Sequence, residues 1–136
     1  NLRQTSCKIQ YTPDILEKED ENIHATITHA YQVFPNTVVI TSPYYMSIMV
    51  LMPTSARTTK VDYYMLTLNP ADNPKAQALY SRSLEMVLNV FGNEDFRAAE
   101  SCQIGLESGA LDTVVYCGME EAIPMFYESL EKFTSE

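Results

Sequence analysis

Three groups of polar residues in this 136-residue chain are of types that could do chemistry. They are two histidines, two adjacent carboxylates, and a carboxylate with a nearby amide: His24 and His29, Glu94 and Asp95, and Glu100 and Gln103. Two histidines and one carboxylate are the ligand set that holds non-heme Fe(II) while leaving positions open for dioxygen. His24, His29 and Asp95 therefore form a candidate iron site, provided that the fold brings them together.

The two histidines lie in or beside a segment whose pattern predicts a β-strand. Side chains of residues 25–34 alternate, with His29 and Tyr31 on the same side. Side chains five positions apart on a strand point to opposite faces. His24 and His29 therefore cannot coordinate the same ion if the strand includes both. The two-residue alternation of a strand favours a hydrogen-bonded or partly exposed histidine at each position over two histidines that bind one metal ion.

The adjacent carboxylates Glu94 and Asp95 have two interpretations. Acidic residues near a helix start commonly compensate the helix dipole on the protein surface. However, Phe91, Phe96 and the apolar residues on both sides would bring Asp95 beside the core. A carboxylate there needs a metal, a cation or hydrogen bonds. Both interpretations remain open at this point.

Four segments between residues 25 and 68 have the alternation or the β-branched content of strands, separated by breaks containing Pro, Asn or Ser. The segments are residues 25–34, 37–41, 44–52 and 58–68. Short connections between successive strands predict an antiparallel sheet.

After residue 69 the apolar period changes from that of a strand to that of a helix. The first amphipathic helix carries apolar residues at Tyr80, Leu84, Val87, Leu88 and Phe91. We expect Gly92 to interrupt this helix and residues 93–102 to resume it, with the two carboxylates in the first turn.

The C-terminal part of the chain predicts a loop, a short strand and a last helix. Gly105 and Gly109 mark the loop, and residues 113–117 form the strand candidate. The last helix has its apolar positions at Ile123, Phe126, Tyr127, Leu130 and Phe133. Pro124 fits only near the first turn of that helix. Together these elements predict an α+β fold, an antiparallel β-sheet with a long C-terminal helix packed on it.

Composition limits the function classes. Hydrophobic residues make up 46% and charged residues 20%, which is typical of one globular domain, here residues 1–136. A net charge of −9 argues against a nucleic-acid partner, and the longest apolar run, residues 44–52, is too short to span a membrane. The sequence has no GxSxG, GxGxxG or GxxxxGK motif, which leaves hydrolase and nucleotide-binding interpretations unsupported.

The cysteines and the first residues bear on location and completeness. The three cysteines, Cys7, Cys102 and Cys117, include no CxxC pair, so a reducing cytoplasm is expected. Residues 1–23 lack periodicity and predict an irregular lead-in. Because the chain begins at Asn1 rather than Met, we expect a piece of a longer protein.

Several motifs, taken in order, resemble the Rieske-type ring-hydroxylating oxygenases, in the catalytic domain of their large (alpha) subunit. The motifs are VFPN at 33–36, FGNEDF at 91–96, ESCQ at 100–103, IGL at 104–106, SG at 108–109 and GMEE at 118–121. The resemblance runs from about residue 25 to the end of the chain.

This resemblance implies roles for three residues. Asp95 would be the carboxylate ligand of a mononuclear Fe(II), and Phe91, one helical turn earlier, would stand at the wall of the substrate pocket. Ile40, just after the FPN turn, would face the pocket as well. An apolar slot of this kind holds an aromatic ring near bound dioxygen and excludes water.

The chain also departs from the family pattern. The family's ligand histidines lie in an Asp-x-x-His-x-x-x-x-His segment well before FPN, and its [2Fe-2S] Rieske cluster is bound further upstream. Glu21, His24 and His29 imitate the histidine spacing but lie almost against FPN, so the resemblance implies that they are not the ligands. The Rieske domain is absent, and we expect the chain alone to be inactive.

The resemblance implies a parent enzyme that inserts oxygen into an aromatic or similar small apolar molecule. Its electrons would come from a ferredoxin or reductase, and its large subunits would form a homotrimer or an alpha3beta3 assembly. A sheet with a packed C-terminal helix is also the helix-grip layout of START-like domains, which bind apolar molecules without metal. A relative that has lost its ligands is a third alternative. Iron dependence separates these alternatives.

Overall fold

The computed structural model describes residues 2–7 and 27–135. The strands of its sheet are β1 (Leu2–Cys7), β2 (Ile27–Val33), β3 (Thr37–Thr41), β4 (Tyr45–Ser55) and β5 (Thr58–Thr67). The helices are α1 (Pro74–Val90), α2 (Phe96–Glu107) and α3 (Ala122–Thr134), with a π-helical turn at Phe91–Asp95 and a 3-10 turn at Gly118–Glu120. The predicted α+β fold is confirmed.

The sheet is an antiparallel meander in which the spatial order is the chain order, β1-β2-β3-β4-β5. The turn between β2 and β3 begins with a cis peptide bond at Phe34-Pro35. Asn36 then ties this turn to β4, because its side-chain amide donates to the Leu51 carbonyl at 3.0 Å and its own carbonyl accepts from the Leu51 amide at 2.8 Å. Main-chain hydrogen bonds along four strand pairs fix the register of the whole sheet.

The register sorts the side chains of β2–β5 onto two faces, because directly paired residues of antiparallel strands point to the same side. One side, the Ser47 face, carries Ala30, Ile40, Ser47 and Met65 in one row across the sheet. The opposite side, the His29 face, carries His29, Thr41 and Met46 in one row. His29 and Tyr31 share a face, as the alternation predicts.

The prediction of an irregular lead-in over residues 1–23 is wrong for Leu2–Cys7, which pair with Ile27–Gln32 of β2 as an edge strand. The sequence of β1, LRQTSC, has no apolar alternation that would identify it. Its strand conformation comes from main-chain pairing with a neighbour far along the chain, which a local pattern cannot reveal. The rest of the predicted lead-in lies outside the described residues.

The C-terminal helix α3 packs on the sheet through aromatic contacts. The Phe34 ring lies 6.0 Å from that of Phe126 and 5.6 Å from that of Phe133, measured between centroids. Phe126 and Phe133 are seven residues apart and so share one face of the helix. Pro124 lies in the first turn of α3, where a proline is tolerated. The predicted packing of the helix on the sheet is confirmed.

Contacts divide the structure into two compact units. The first, the sheet unit, comprises the five strands and the segment from Tyr116 onward, with α3. The second, the helical unit, is Asn69–Val115 and contains α1, the π-helical turn and α2. The Asn73 side chain caps α1 by accepting from the Ala76 amide at 2.9 Å, and Pro74 occupies the first helical position.

Three local predictions for residues 92–117 are wrong. Gly92 does not interrupt the helix, because residues 91–95 continue it as a π-helical turn. Gly105 lies inside α2 rather than in a loop, whereas Gly109, at a φ of 67°, follows the end of that helix. Residues 113–117 form no strand, since their apolar run has no strand partner in the described structure.

Within the described parts of the chain, no helix is both long enough and apolar enough to cross a bilayer.

Candidate functional site

The FGNED motif folds as a π-helical turn between α1 and α2. The Phe96 amide donates to the Phe91 carbonyl, five residues earlier, instead of to the carbonyl four residues earlier as in an α-helix. The side chains of Phe91 and Phe96 lie together on this wider turn. Their rings stack with centroids 6.1 Å apart and an interplanar angle of 24°. Single π-helical turns inside α-helices frequently occur at functional sites.

Glu94 and Asp95 project from this turn into solvent. The prediction that Asp95 lies beside the core is wrong, because the helical unit buries no side chain. The dipole interpretation also fails, since Val90 and Phe96 on either side are helical and the carboxylates lie within a continuous helical run. Within the described structure, neither carboxylate forms a hydrogen bond or an ion pair.

Asp95 offers one of the three ligands that an iron site of this kind needs. An exposed carboxylate without an ion-pair partner can bind a hard metal ion through oxygen, as the carboxylate of a two-histidine set does. The helical unit contains no histidine, and no three His, Cys, Asp or Glu side chains cluster in the described residues. Asp95 therefore qualifies as a single ligand.

His29 is fully buried on the His29 face. Its ring stacks on Tyr31 at a centroid distance of 6.1 Å and an interplanar angle of 27°, and Thr41 is its direct partner on β3. These surroundings match a structural histidine in the sheet. His24, the other member of the predicted pair, and Glu21 lie outside the described residues.

Glu100 and Gln103 make local contacts on α2. Arg97 lies 4.0 Å from Glu100, and the Gln103 amide donates to the Glu107 carboxylate at 2.8 Å. Both are pairs within one helical turn on an exposed surface, where they add a few tenths of a kcal/mol, about 0.2–0.5 each. The structure therefore supports a local role for these residues.

Ile40 is half-buried on the Ser47 face of the sheet unit. Its direct neighbour on β4 is Ser47, which is only 2% exposed. The Ser47 hydroxyl is 2.5 Å from the hydroxyl of Tyr63, which lies one row along on β5. Tyr45, two residues before Ser47 on the same face, has a raised pKa because of burial and then of Tyr63, while a hydrogen bond with Ser42 acts in the opposite direction.

Sequence reasoning missed this group of hydroxyls. The available signal was a serine at an inward position of an otherwise apolar strand, with tyrosines at same-face positions of β4 and β5. A polar residue inside such a strand must find a hydrogen-bond partner, which here is Tyr63. The pairing register, which the sequence does not state, decides that partner.

The comparisons with known proteins identify the family. No curated protein and no solved structure matched the chain. The family model described as "Ring hydroxylating alpha subunit (catalytic domain)" matches residues 5–136, which is nearly the whole chain. The α+β fold agrees with the resemblance that the motifs carry. The chain therefore belongs to the family of ring-hydroxylating alpha subunits, within their catalytic domain.

Proposed function

We propose that this chain is part of the catalytic domain of a Rieske-type non-heme iron oxygenase, which inserts oxygen into an aromatic or similar small apolar substrate. The family match over residues 5–136 supports an oxygenase, and the observation that carries the site is the π-helical turn with Asp95 exposed on it. We assign the [2Fe-2S] cluster to a part of the parent protein outside this sequence. This chain alone would then lack electron delivery and be inactive.

Asp95 is the proposed carboxylate ligand. Its side chain is exposed and engages no described cation, so no competing ion pair must break before it binds a metal. The bound Fe(II) would supply the oxygen-activating chemistry. The two histidine ligands would come from outside the described residues.

Phe91 in the helical unit and Ile40 in the sheet unit are each proposed as an apolar residue that contacts the substrate. The Phe91 ring is stacked on Phe96, which holds it in place one turn before Asp95. An apolar ring one helical turn from a metal-ligating residue excludes water and offers a stacking surface to an aromatic substrate. Ile40 presents an aliphatic side chain on the Ser47 face.

The partners are proposed from the family resemblance. A ferredoxin or reductase would deliver electrons, and the parent's subunits would form a homotrimer or an alpha3beta3 assembly. Cys102 and Cys117 are free and exposed, which supports a reducing, cytoplasmic location.

The experiment uses the intact natural protein with its electron donor, a small aromatic compound and oxygen-18 gas. We expect labelled product from the wild type and from Glu94→Ala, whose exposed carboxylate lies one position away. Asp95→Ala should form product at less than about one tenth of the wild-type rate, the lower end of the losses seen when metal sites are perturbed. Undiminished labelled product from Asp95→Ala would overturn the ligand assignment.

A further inference from the structure

The strand β5 forms one edge of the sheet. Within the described parts of the chain, β4 is the only strand that pairs with it, whereas β2, β3 and β4 each lie between two strands. β5 is 10 residues long, against 5 for β3, and contains no proline. Native proteins usually block such an edge with proline, a short strand or charge, because its main-chain groups can pair with another strand. β5 is therefore a candidate surface for strand pairing.

Hydrogen bonds of β4 show which main-chain groups of β5 face outward. The Leu51 amide donates to the Asn36 carbonyl at 2.8 Å, and the Leu51 carbonyl accepts from the Asn36 side chain at 3.0 Å. Both main-chain groups of Leu51 are thus directed toward the β2–β3 turn and away from Val61, its partner on β5. In an antiparallel pair without mutual hydrogen bonds, both residues direct their N–H and C=O groups away from each other. The amide and the carbonyl of Val61 therefore face the outer edge of the sheet.

The charged residues of β5 are Lys60 and Asp62, one on each side of Val61. They share the His29 face, and Lys60 Nζ lies 2.8 Å from Asp62 Oδ1. The Lys60 side chain is 65% exposed, so it can contact an added strand. Opposite charges directly across two strands stabilise a sheet, and like charges destabilise it. The edge therefore favours a strand that places an acid opposite Lys60 and a base opposite Asp62.

A second copy of β5 meets this requirement in one antiparallel register. If Val61 of one copy lies opposite Val61 of the other, each Lys60 lies opposite an Asp62. The two Val61 residues then exchange their outward-facing hydrogen bonds, and the charged residues form the closer, non-hydrogen-bonded pairs on either side. A two-fold axis one residue further along would place Asp62 opposite Asp62. Axes beyond that would place Asp62 opposite the uncharged Tyr64 or Leu66.

We propose that β5 pairs antiparallel with β5 of a second copy of this chain, about a two-fold axis at Val61. The two sheets join edge to edge, and Lys60 of each copy pairs with Asp62 of the other. Such a contact uses the same surface on both copies, as two-fold contacts do. The inference goes beyond the proposed function, because it concerns assembly and not chemistry. It doubles the assembly that the other contacts of the parent form, so that a homotrimer becomes a hexamer.

The test uses the intact natural protein at low salt, where interactions between surface charges are least screened. Sedimentation velocity over a range of protein concentrations measures the mass and the dissociation constant for its doubling. Lys60→Asp leaves two acidic side chains on the edge, and Asp62→Lys leaves two basic ones. The control is Lys75→Asp, which makes the same change of charge at an exposed position of α1.

We expect the wild type and Lys75→Asp to double with the same dissociation constant. Lys60→Asp and Asp62→Lys should each weaken the doubling by about tenfold or more, because like charges then face each other across the axis. An equal mixture of these two variants should regain it, because each acidic edge then faces a basic one. Both variants lack the salt bridge within the strand, so recovery in the mixture reports only the contact between copies.

A wild-type mass that does not double would overturn the proposal, and is the result expected if a strand of the parent protein covers β5 instead. Wild-type doubling in either edge variant alone, or a mixture that stays as dissociated as its components, would also overturn it. An equal loss in Lys75→Asp would do the same, since overall charge would then be the cause. These masses do not depend on iron or oxygenation, so the failure of this proposal and the failure of the proposed function are distinguishable.

Discussion

The sheet unit and the helical unit are stabilised in different ways. The sheet unit buries His29, Ser47 and Met49 and ties distant parts of the chain together through its strand register. The helical unit buries no side chain, and its conformation rests on helical hydrogen bonds and the Asn73 cap. Ligand-binding elements are often drawn from the less stable parts of a protein. Asp95, the proposed iron ligand, lies in the less packed unit, whereas the hydrogen-bonded pair of Ser47 and Tyr63 lies in the better packed one.

The largest expected difference is in the free energy of unfolding after one methionine in each unit is replaced by alanine. Met49→Ala deletes an 8% exposed side chain in the sheet and should lower the free energy of unfolding by about 2–5 kcal/mol. Met86→Ala deletes a 61% exposed side chain on α1 and should change it by less than about 0.5 kcal/mol. Urea denaturation of both variants measures the two values. Equal losses would show that the contrast in packing between the two units is false.

A smaller effect is expected at the start of α1. Asn73→Ala removes the acceptor of the Ala76 amide and should destabilise the first turn by about 1 kcal/mol. Hydrogen exchange of amides at the start of α1 should speed up accordingly, while exchange in β4 stays the same. The control is Ser81→Ala, an exposed position inside α1 where alanine is the better helix former. Slower exchange in Asn73→Ala than in Ser81→Ala would contradict the capping role.

A third effect on stability, similar in size to that of the Asn73 cap, is expected from the hydrogen bond between Ser47 and Tyr63 in the sheet unit. Ser47→Ala, Tyr63→Phe and the double variant form a thermodynamic cycle across the 2.5 Å hydrogen bond. The expected coupling free energy is about 0.5–1.5 kcal/mol, since the double variant leaves no orphaned hydroxyl. Denaturation midpoints of the four proteins measure it. Additive losses would mean that the two hydroxyls do not stabilise each other.

The smallest expected effect is a pH dependence at Tyr45. Burial raises the pKa of Tyr45 in the folded protein, so the unfolded chain loses this proton first as the pH rises past 10.0, the ordinary tyrosine value. Stability should therefore be unaffected by Tyr45 below that pH and should fall between it and the raised folded pKa. Tyr45→Phe should flatten this part of the stability profile, and Tyr44→Phe, whose ring is 70% exposed, should not. Matching profiles for the two variants would count against burial as the cause.

The same contrast explains which features could be predicted from the sequence. Alternation around His29 and Tyr31 located β2, and the helical period of Phe126 and Phe133 located the face of α3 that contacts Phe34. These patterns are local and reflect burial against one partner surface. β1 has no such pattern, because its conformation depends on pairing with residues twenty to thirty positions away.

The candidate site was located by motif, but its geometry could not be read from the sequence. A glycine at position 92 suggests a break, and only the main-chain bond from Phe96 to Phe91 makes the segment a π-helical turn. The apolar neighbours of Asp95 suggested burial, yet Phe91 and Phe96 stack on each other instead of enclosing the carboxylate. The hydrogen bond between Ser47 and Tyr63 depends on the pairing of β4 with β5, which no local pattern specifies.

Asp95 is proposed as an iron ligand, and the most direct test of this role counts iron and acid-labile sulfide in the intact natural protein. A [2Fe-2S] cluster contributes equal amounts of both, so the excess of iron over sulfide counts the mononuclear ion. We expect an excess of about one iron per chain in the wild type and in Glu94→Ala, and close to none in Asp95→Ala, because a two-histidine site that loses its carboxylate binds Fe(II) far more weakly. An undiminished iron excess in Asp95→Ala would contradict the account.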